Sequence, residues 1–169
     1  MAETSIRLRP ATTDDVGLLR RMLTEPDFLG PDWSGFSDAG RLERRLATEG
    51  LLADDGGMLV VEVDGVAVGQ VSWHAVSHGG PATVWNIGVA LAPEARGRGT
   101  GTRAQAMIAE YLFAHTTAPR VEAGARADNV AECRALEKAG FTREGTLRSA
   151  QFKDGAWRDV AVFSRIRDD

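Results

Sequence analysis

Residues 92–107, "APEARGRGTGTRAQAM", set Gly97, Gly99 and Gly101 at alternate positions among Arg96, Arg98 and Arg103, just before a stretch with helical spacing. A turn of this composition that opens a helix can aim successive backbone N–H groups at one anion, and the helix dipole attracts the same charge. Glycine suits the turn because a side chain would block the approach. The competing reading is a plain connector. Thr102 and Gln105 stand at capping-box spacing, which would leave the glycines as a flexible link.

Two known anion-binding patterns can be compared with these letters. The Walker phosphate loop ends in Gly-Lys-Ser/Thr, and the stretch has no lysine. The dinucleotide fingerprint G-x-G-x-x-G/A is met by Gly99, Gly101 and Ala104, with Glu122 about 20 residues on, where a ribose-binding acid would sit. A dinucleotide fold needs repeated strand–helix–strand crossovers. This chain shows one, from "NIGVAL" through the helix to "RVEAGA", so an NAD-type dinucleotide-binding protein ranks behind a cradle for another pyrophosphate.

The elements that would position the glycines follow from periodicity. Ile6 and Leu8 alternate before Pro10, and Thr12 then caps a helix carrying Val16, Leu19 and Leu23. Residues 24–36, with two prolines, two glycines and three aromatics, fit neither period and read as an ordered loop. A short helix over 37–47 turns Leu42 and Leu46 inward. "MLVVEVDGVAVGQVSWHAV" is a hairpin through Asp64-Gly65, and "TVWNIGVAL" a strand with Trp85, Ile87, Val89 and Leu91 on one face. Ala104, Met107, Ile108, Tyr111 and Leu112 form the core stripe of the next helix. "RVEAGA" is a strand and "NVAECRALEKAGF" a helix closed by Gly140. "TLRSAQFKDGAWRDVAVFSRI" is a second hairpin through Asp154-Gly155. The expected order is β-α-α-βββ-α-β-α-ββ, one mixed α/β sheet of about seven strands flanked by about four helices.

The 169 residues, 43% of them apolar, suit a single domain spanning 1–169. No run approaches the ~20 apolar residues of a membrane span, and the first residues lack the apolar region of a secretory signal, so a cytoplasmic setting is expected. One cysteine and three histidines leave no structural zinc set, so no metal is expected. A net charge of −4 with interspersed bases argues against a nucleic-acid partner.

"RGRGTG" resembles the R/Q-x-x-G-x-G/A signature of the GCN5-related N-acetyltransferases, and "IGVALAPEARG" resembles the strand that precedes it there. About 30 residues on, "DNVAECRALEKAGF" is similar to that family's N-x-x-A/S…E-K-x-G-F helix, above all in the branch that acetylates ribosomal-protein N-termini and in its antibiotic-modifying relatives. The resemblance spans roughly residues 58–166. It implies acetyl-CoA as acyl donor. The pyrophosphate would rest on the segment Arg96, Gly97, Arg98, Gly99, Thr100, Gly101 and Thr102, and the pantetheine would lie along Val89, Ala90 and Leu91. It also implies a contact between Asn129 and the pantetheine arm, beside a simpler role for Asn129 as helix cap with Glu132 returning the bond. A backbone N–H near Val89 would polarise the thioester carbonyl.

The chain departs from the family at both proton-handling positions. The tyrosine that many members use as acid is Leu136 here, and the acidic residue of the central strand is Asn86. Cys133 is a replacement acid or a small buried apolar residue. Asn86 can orient an amine or a water but cannot take a proton. Histidine is the residue type whose ordinary pKa lies near neutrality, so His74 is a candidate base, or a hydrogen-bonded residue at a strand end. Asp32 is a further candidate in the loop where family substrates dock. Phe28, Trp33 and Phe36 form either a stacking floor for the acceptor or a plug for the core.

From Thr24 to Asp55 there are eight acids (Glu25, Asp27, Asp32, Asp38, Glu43, Glu49, Asp54, Asp55) against three bases (Arg41, Arg44, Arg45). Such a wall favours a cationic amine, a small antibiotic-like molecule or a peptide N-terminus, unless the charges serve solubility alone. A catalytically degenerate acyl-CoA-binding module is the alternative from another class. Val160, Val162 and Phe163 either support edge pairing in a homodimer or fill the core.

Overall fold

A computed structural model describes residues 4–168. Eight strands form one sheet: β1 (Ile6–Pro10), β2 (Leu52–Ala53), β3 (Gly56–Val63), β4 (Val66–Val76), β5 (Val84–Leu91), β6 (Arg120–Arg126), β7 (Thr142–Lys153) and β8 (Ala156–Ile166). Their order is β1-β3-β4-β5-β6-β8-β7, with β2 also on β3, and every pair except β5–β6 is antiparallel. A single parallel pair, joined by helix α4 (Thr100–His115), is one crossover. That topology removes the dinucleotide-fold reading. Both hairpins turn where expected, Asp64-Gly65 and Asp154-Gly155 each holding the two positive φ angles of a type I′ turn.

The period-two pattern divides the sheet into two apolar faces. Trp85, Ile87 and Leu91 of β5, with Val121 and Ala123 of β6, pack against Ala104, Ile108 and Leu112 of α4 and Leu136 of α5 (Val130–Lys138). Full burial of the larger aliphatic side chains among them, Ile108, Leu112, Val121 and Leu136, is worth about 1.5–3 kcal/mol each. The opposite face carries Val60 and Ala90, covered by Leu19 and Met22 of α1 (Val16–Thr24) and Leu42 and Leu46 of α3 (Ala39–Glu49). Asp38 caps α3 by accepting from the Gly40 N–H at 2.8 Å, and Gly50, at φ 62°, closes it.

Several expectations need correction. The irregular stretch before α3 contains a helical turn, α2 (Pro26–Leu29), which begins on its proline, followed by a 3-10 turn over Gly30–Asp32. Tyr111 is 42% exposed, its ring lying 4.7 Å from His115; the buried stripe of α4 follows Ala104, Ile108 and Leu112, which leaves 107 and 111 at its rim. Phe163 is core, but β8 lies between β6 and β7 and offers no free edge, which closes edge pairing through Val160, Val162 and Phe163.

A buried charge cluster ties β1 to the start of α1. Arg9 donates to both carboxylate oxygens of Asp15 (2.7 and 2.8 Å) and, through Nε, to Glu62 (2.6 Å). Thr12 N–H adds a bond to Asp15 at 2.8 Å. Arg9, first among these partners, holds the Asp15 carboxyl below the usual range.

Candidate active site

The glycine turn is a cradle of unspent donors. Gly97 and Gly99 sit at φ 70° and 81°, where a Cβ is strained, and Gly99 is the residue on which α4 opens. No N–H from Gly97 to Thr102 donates to a described residue; the first bond of the helix runs from Arg103 to the Gly99 carbonyl. Gly101 lies inside the helix, where an added Cβ would meet only Leu91 at 3.6 Å. Thr102 is likewise helical, so the capping-box reading with Gln105 does not hold. Arg98 and Arg103 are exposed, with no ion pair among the described residues. Arg96 also has a structural role: its guanidinium donates to the Leu91 carbonyl (3.0 and 2.8 Å) and to that of Phe28, and its own N–H goes to Pro93, which makes it a brace for the strand end.

Beside the cradle the sheet opens. β5 and β6 pair only at Trp85–Val121, Asn86–Glu122 and Ile87–Ala123, although β5 continues to Leu91 and β6 to Arg126. Because Ala92 N–H bonds Val68 on β4, strand alternation turns Ala90 and Gly88 toward β4 and Val89 and Leu91 toward the opening. The Leu91 carbonyl is taken by Arg96, which leaves Val89 as the residue with both backbone groups presented to the gap.

A groove of about 320 Å³ runs through the opening, lined by Gly88, Val89, Gly124, Asn129 and Glu132 among others. Asn129 accepts from the Glu132 N–H at 3.1 Å, as a cap, while its Nδ2 donates to Asp32 at 3.3 Å. Glu132 does not return the capping bond. Its carboxyl accepts from Gln105 Nε2 instead, and burial raises its pKa, with the Asp32 charge adding to the rise. Lys153 of β7 is buried and donates to the Asp32 carbonyl (2.7 Å) and Ser34 Oγ (3.1 Å), and Arg126 donates to the Pro31 carbonyl (3.0 Å). The segment 31–34 is thus pinned over the groove from β6, α5 and β7. Sequence reading missed Gln105, Glu132 and Lys153 as lining, because no motif links residues from three elements.

Register places a polar row across the sheet where the pairing ends. His74 of β4, Asn86 of β5, Glu122 of β6 and Ser164 of β8 are successive cross-strand neighbours on the face away from α4. Such neighbours have Cβ atoms about 4.5–5.5 Å apart in antiparallel pairs. Glu122 Oε1 accepts from Arg120 Nε (2.6 Å) and meets His78 Nε2 at 2.8 Å. Arg120 also holds Glu144, which together with Ser164 brings that carboxyl down to about 2. His74 is exposed and Asn86 lines the groove.

Other candidates lie elsewhere. Cys133 is buried with its thiol 3.8 Å from the Arg126 carbonyl, and burial raises its pKa; it does not line the groove. Leu136 is core. Phe28 takes the plug role, 2% exposed beneath Arg21, whereas Phe36 is 78% exposed and stacks edge-on with Trp33 at 4.8 Å. Half of the acidic wall is paired: Glu25 with Arg21, Glu43 with Arg20, Asp38 with Arg44 and Glu49 with Arg45.

Comparison with known proteins gives this architecture its class. The acetyltransferase (GNAT) domain matches residues 5–142, and the chain belongs to that family. It is 33% identical over 102 residues to the probable N-acetyltransferase YjcK of Bacillus subtilis, a match covering 60% of this chain and 56% of that protein. The chain thus spans little more than half the length of that relative. Its fold is similar to that of a Vibrio cholerae spermidine N-acetyltransferase solved with CoA and spermine (TM-score 0.84, 17% identity, 96% of each chain). It is also similar to Mycobacterium smegmatis RimJ in complex with CoA-disulfide (TM-score 0.76, 27% identity, 96% of this chain and 82% of that one). Among the described residues no helix is long and apolar enough to cross a membrane, and no cluster of His, Cys, Asp and Glu is arranged to hold a metal.

Proposed function

We propose that the protein is a cytoplasmic, acetyl-CoA-dependent N-acetyltransferase that acetylates the primary amine of a small molecule or a peptide N-terminus by direct attack. The observation that carries this reading is continuity. A strand edge without a partner, centred on Val89, leads into a row of free N–H groups from Gly97 to Thr102. An amide-bearing arm can extend the sheet at the first, and a pyrophosphate can settle on the second with Arg98 and Arg103 beside it.

Coenzyme A would supply an acyl group activated as a thioester. The chain's own residues do the rest. Val89 N–H faces the gap and is placed to donate to a carbonyl oxygen that gains charge. Asn129, already turned into the groove, orients the arm. The acceptor enters from the α1–α3 face over the polar row. An alkylammonium has a pKa near 10.4 and must lose a proton before attack. Asn86 cannot take it, but His74 and Glu122 on either side can, directly or through water. Glu132, which keeps its proton to higher pH than an ordinary carboxyl, is the acid that lines the opening where Leu136 and Cys133 do not.

A second reading, a binding module without turnover, draws on the burial of Leu136 and Cys133. Positioning alone can supply about 7–11 kcal/mol of a barrier, so those departures do not require an inactive protein. Calorimetry with acetyl-CoA beside a thiol-release assay over an amine panel separates the two. Donor binding with CoA release for one class of amine supports the enzyme; binding with no release for any amine supports the module.

A further inference from the structure

A second cavity, of about 200 Å³, lies between helices α1 and α3 and the sheet, lined by Leu19, Met22, Leu42, Met58, Gln70 and Ala90 among others. No charged side chain lines it. Its size exceeds the roughly 150 Å³ of an apolar protein cavity that stays dry and binds benzene. Two methionines face it, and thioether sulfur makes favourable contacts with aromatic rings. One feature of its wall is out of place in a packed core: Gln70 Oε1 is buried with no hydrogen-bond partner. Buried polar atoms are nearly always paired, so an acceptor left open in an apolar wall marks a place for a guest that brings an O–H or N–H.

The cavity adjoins the groove. Ser34 lines both, its segment held by Lys153. Glu25, Asp38 and Glu43, on the elements around the cavity, are each paired with an arginine.

We propose that this cavity is a subsite for the acceptor, taking a benzene-sized ring that carries a hydrogen-bond donor, while the amine of the same molecule stays in the groove beside Asp32 and Asn86. The assignment rests on the acetyltransferase reading and adds the substrate class: a phenol- or indole-bearing primary amine. The ring packs among Met22, Met58 and Leu42, and its donor meets Gln70 Oε1.

Two readouts test it. With methionine methyls isotopically labelled, p-cresol titrated into the protein is expected to shift the Met22 and Met58 signals saturably, and toluene, which has no donor, to do so at least about tenfold more weakly. Gln70→Met is expected to erase that difference, and Leu42→Trp to abolish both titrations. Thermal melting confirms that each variant is folded, and Gln70→Met alone decides the matter if Leu42→Trp does not fold. In turnover with acetyl-CoA, tyramine is expected to exceed n-propylamine at least about tenfold in kcat/KM, a ratio that the folded variants lower. Methyl signals unmoved by millimolar p-cresol overturn the subsite even if amines are acetylated without preference. Saturable p-cresol binding with no amine acetylated overturns the acceptor role and the acetyltransferase reading together.

Discussion

On the α4 side of the opened sheet the groups that would meet a ligand are main-chain atoms: N–H donors from Gly97 to Thr102 and both backbone groups of Val89. On the α1–α3 side they are side chains, Leu19, Met22, Leu42, Met58 and Gln70, contributed by α1, α3, β3 and β4. A backbone site tolerates any sequence that keeps the turn and the splay, so it suits a ligand that does not vary. A side-chain site is remade by single substitutions, and it suits the partner that does. The departure at Asn86 lines the groove between the two sides, whereas the one at Leu136 is buried in the core on the α4 side.

The strongest perturbation of the side-chain half is Arg9→Ala. It leaves Asp15 buried without its cation, while Glu62 keeps Arg7, and it loosens the start of α1, the wall of the apolar cavity. Removing one partner from a buried charge cluster costs about 3–5 kcal/mol. Melting is expected to fall by roughly 10 °C for a domain of this size. A fall below about 2 °C would show that the cluster does not anchor the helix.

On the backbone half, Gly99→Val forces a β-branched residue to φ 81°, a strain of about 1–3 kcal/mol, and crowds the cradle. Affinity for coenzyme A, read by calorimetry, is expected to drop at least about tenfold. Gly101→Ala is the control. Its position is ordinary helix with room for a methyl, and affinity should stay within about twofold. Equal losses from both variants would mean that the turn conformation is not what binds.

Glu132→Gln sharpens the comparison where the halves touch. Burial holds this carboxyl's pKa up, so above that value its charge is a cost to the fold, and the cost disappears as pH falls toward the ordinary carboxyl range near 4.3. The amide keeps the acceptor for Gln105. Melting is expected to rise by a few degrees at pH 8 and not at all at pH 4, while acyl transfer slows. A smaller effect of opposite sign belongs to Glu144→Gln. Arg120 and Ser164 bring that carboxyl down to about 2, so its contribution is present above pH 4.5 and lost as pH falls through 2. The group is partly exposed and screened, and the expected shift is about 1 °C at pH 7, with none at pH 2.

The backbone half was legible in the sequence. Glycine spacing and strand period are local properties that the fold does not rewrite, whereas the free strand edge depends on where β5 and β6 stop pairing and was expected only from the family resemblance. The bracing role of Arg96 was not legible: its charge suited an anion, but an arginine five residues past Leu91 can also fold back on that strand end, and its planar fork does so here. The side-chain half was not legible. Phe28 and Trp33 looked alike in one loop, yet only Phe28 faces the sheet, a choice made by the helical turn that starts at Pro26. The apolar cavity has no signature because its walls are separated by tens of residues and each looks like ordinary core.

The most direct test is an amide-resolved NMR titration of the protein with coenzyme A. The account predicts saturable shifts concentrated on the N–H signals of Gly97, Arg98, Gly99, Thr100, Gly101 and Thr102, with Val89 moving in step. Coenzyme A binding that leaves those signals in place would contradict it.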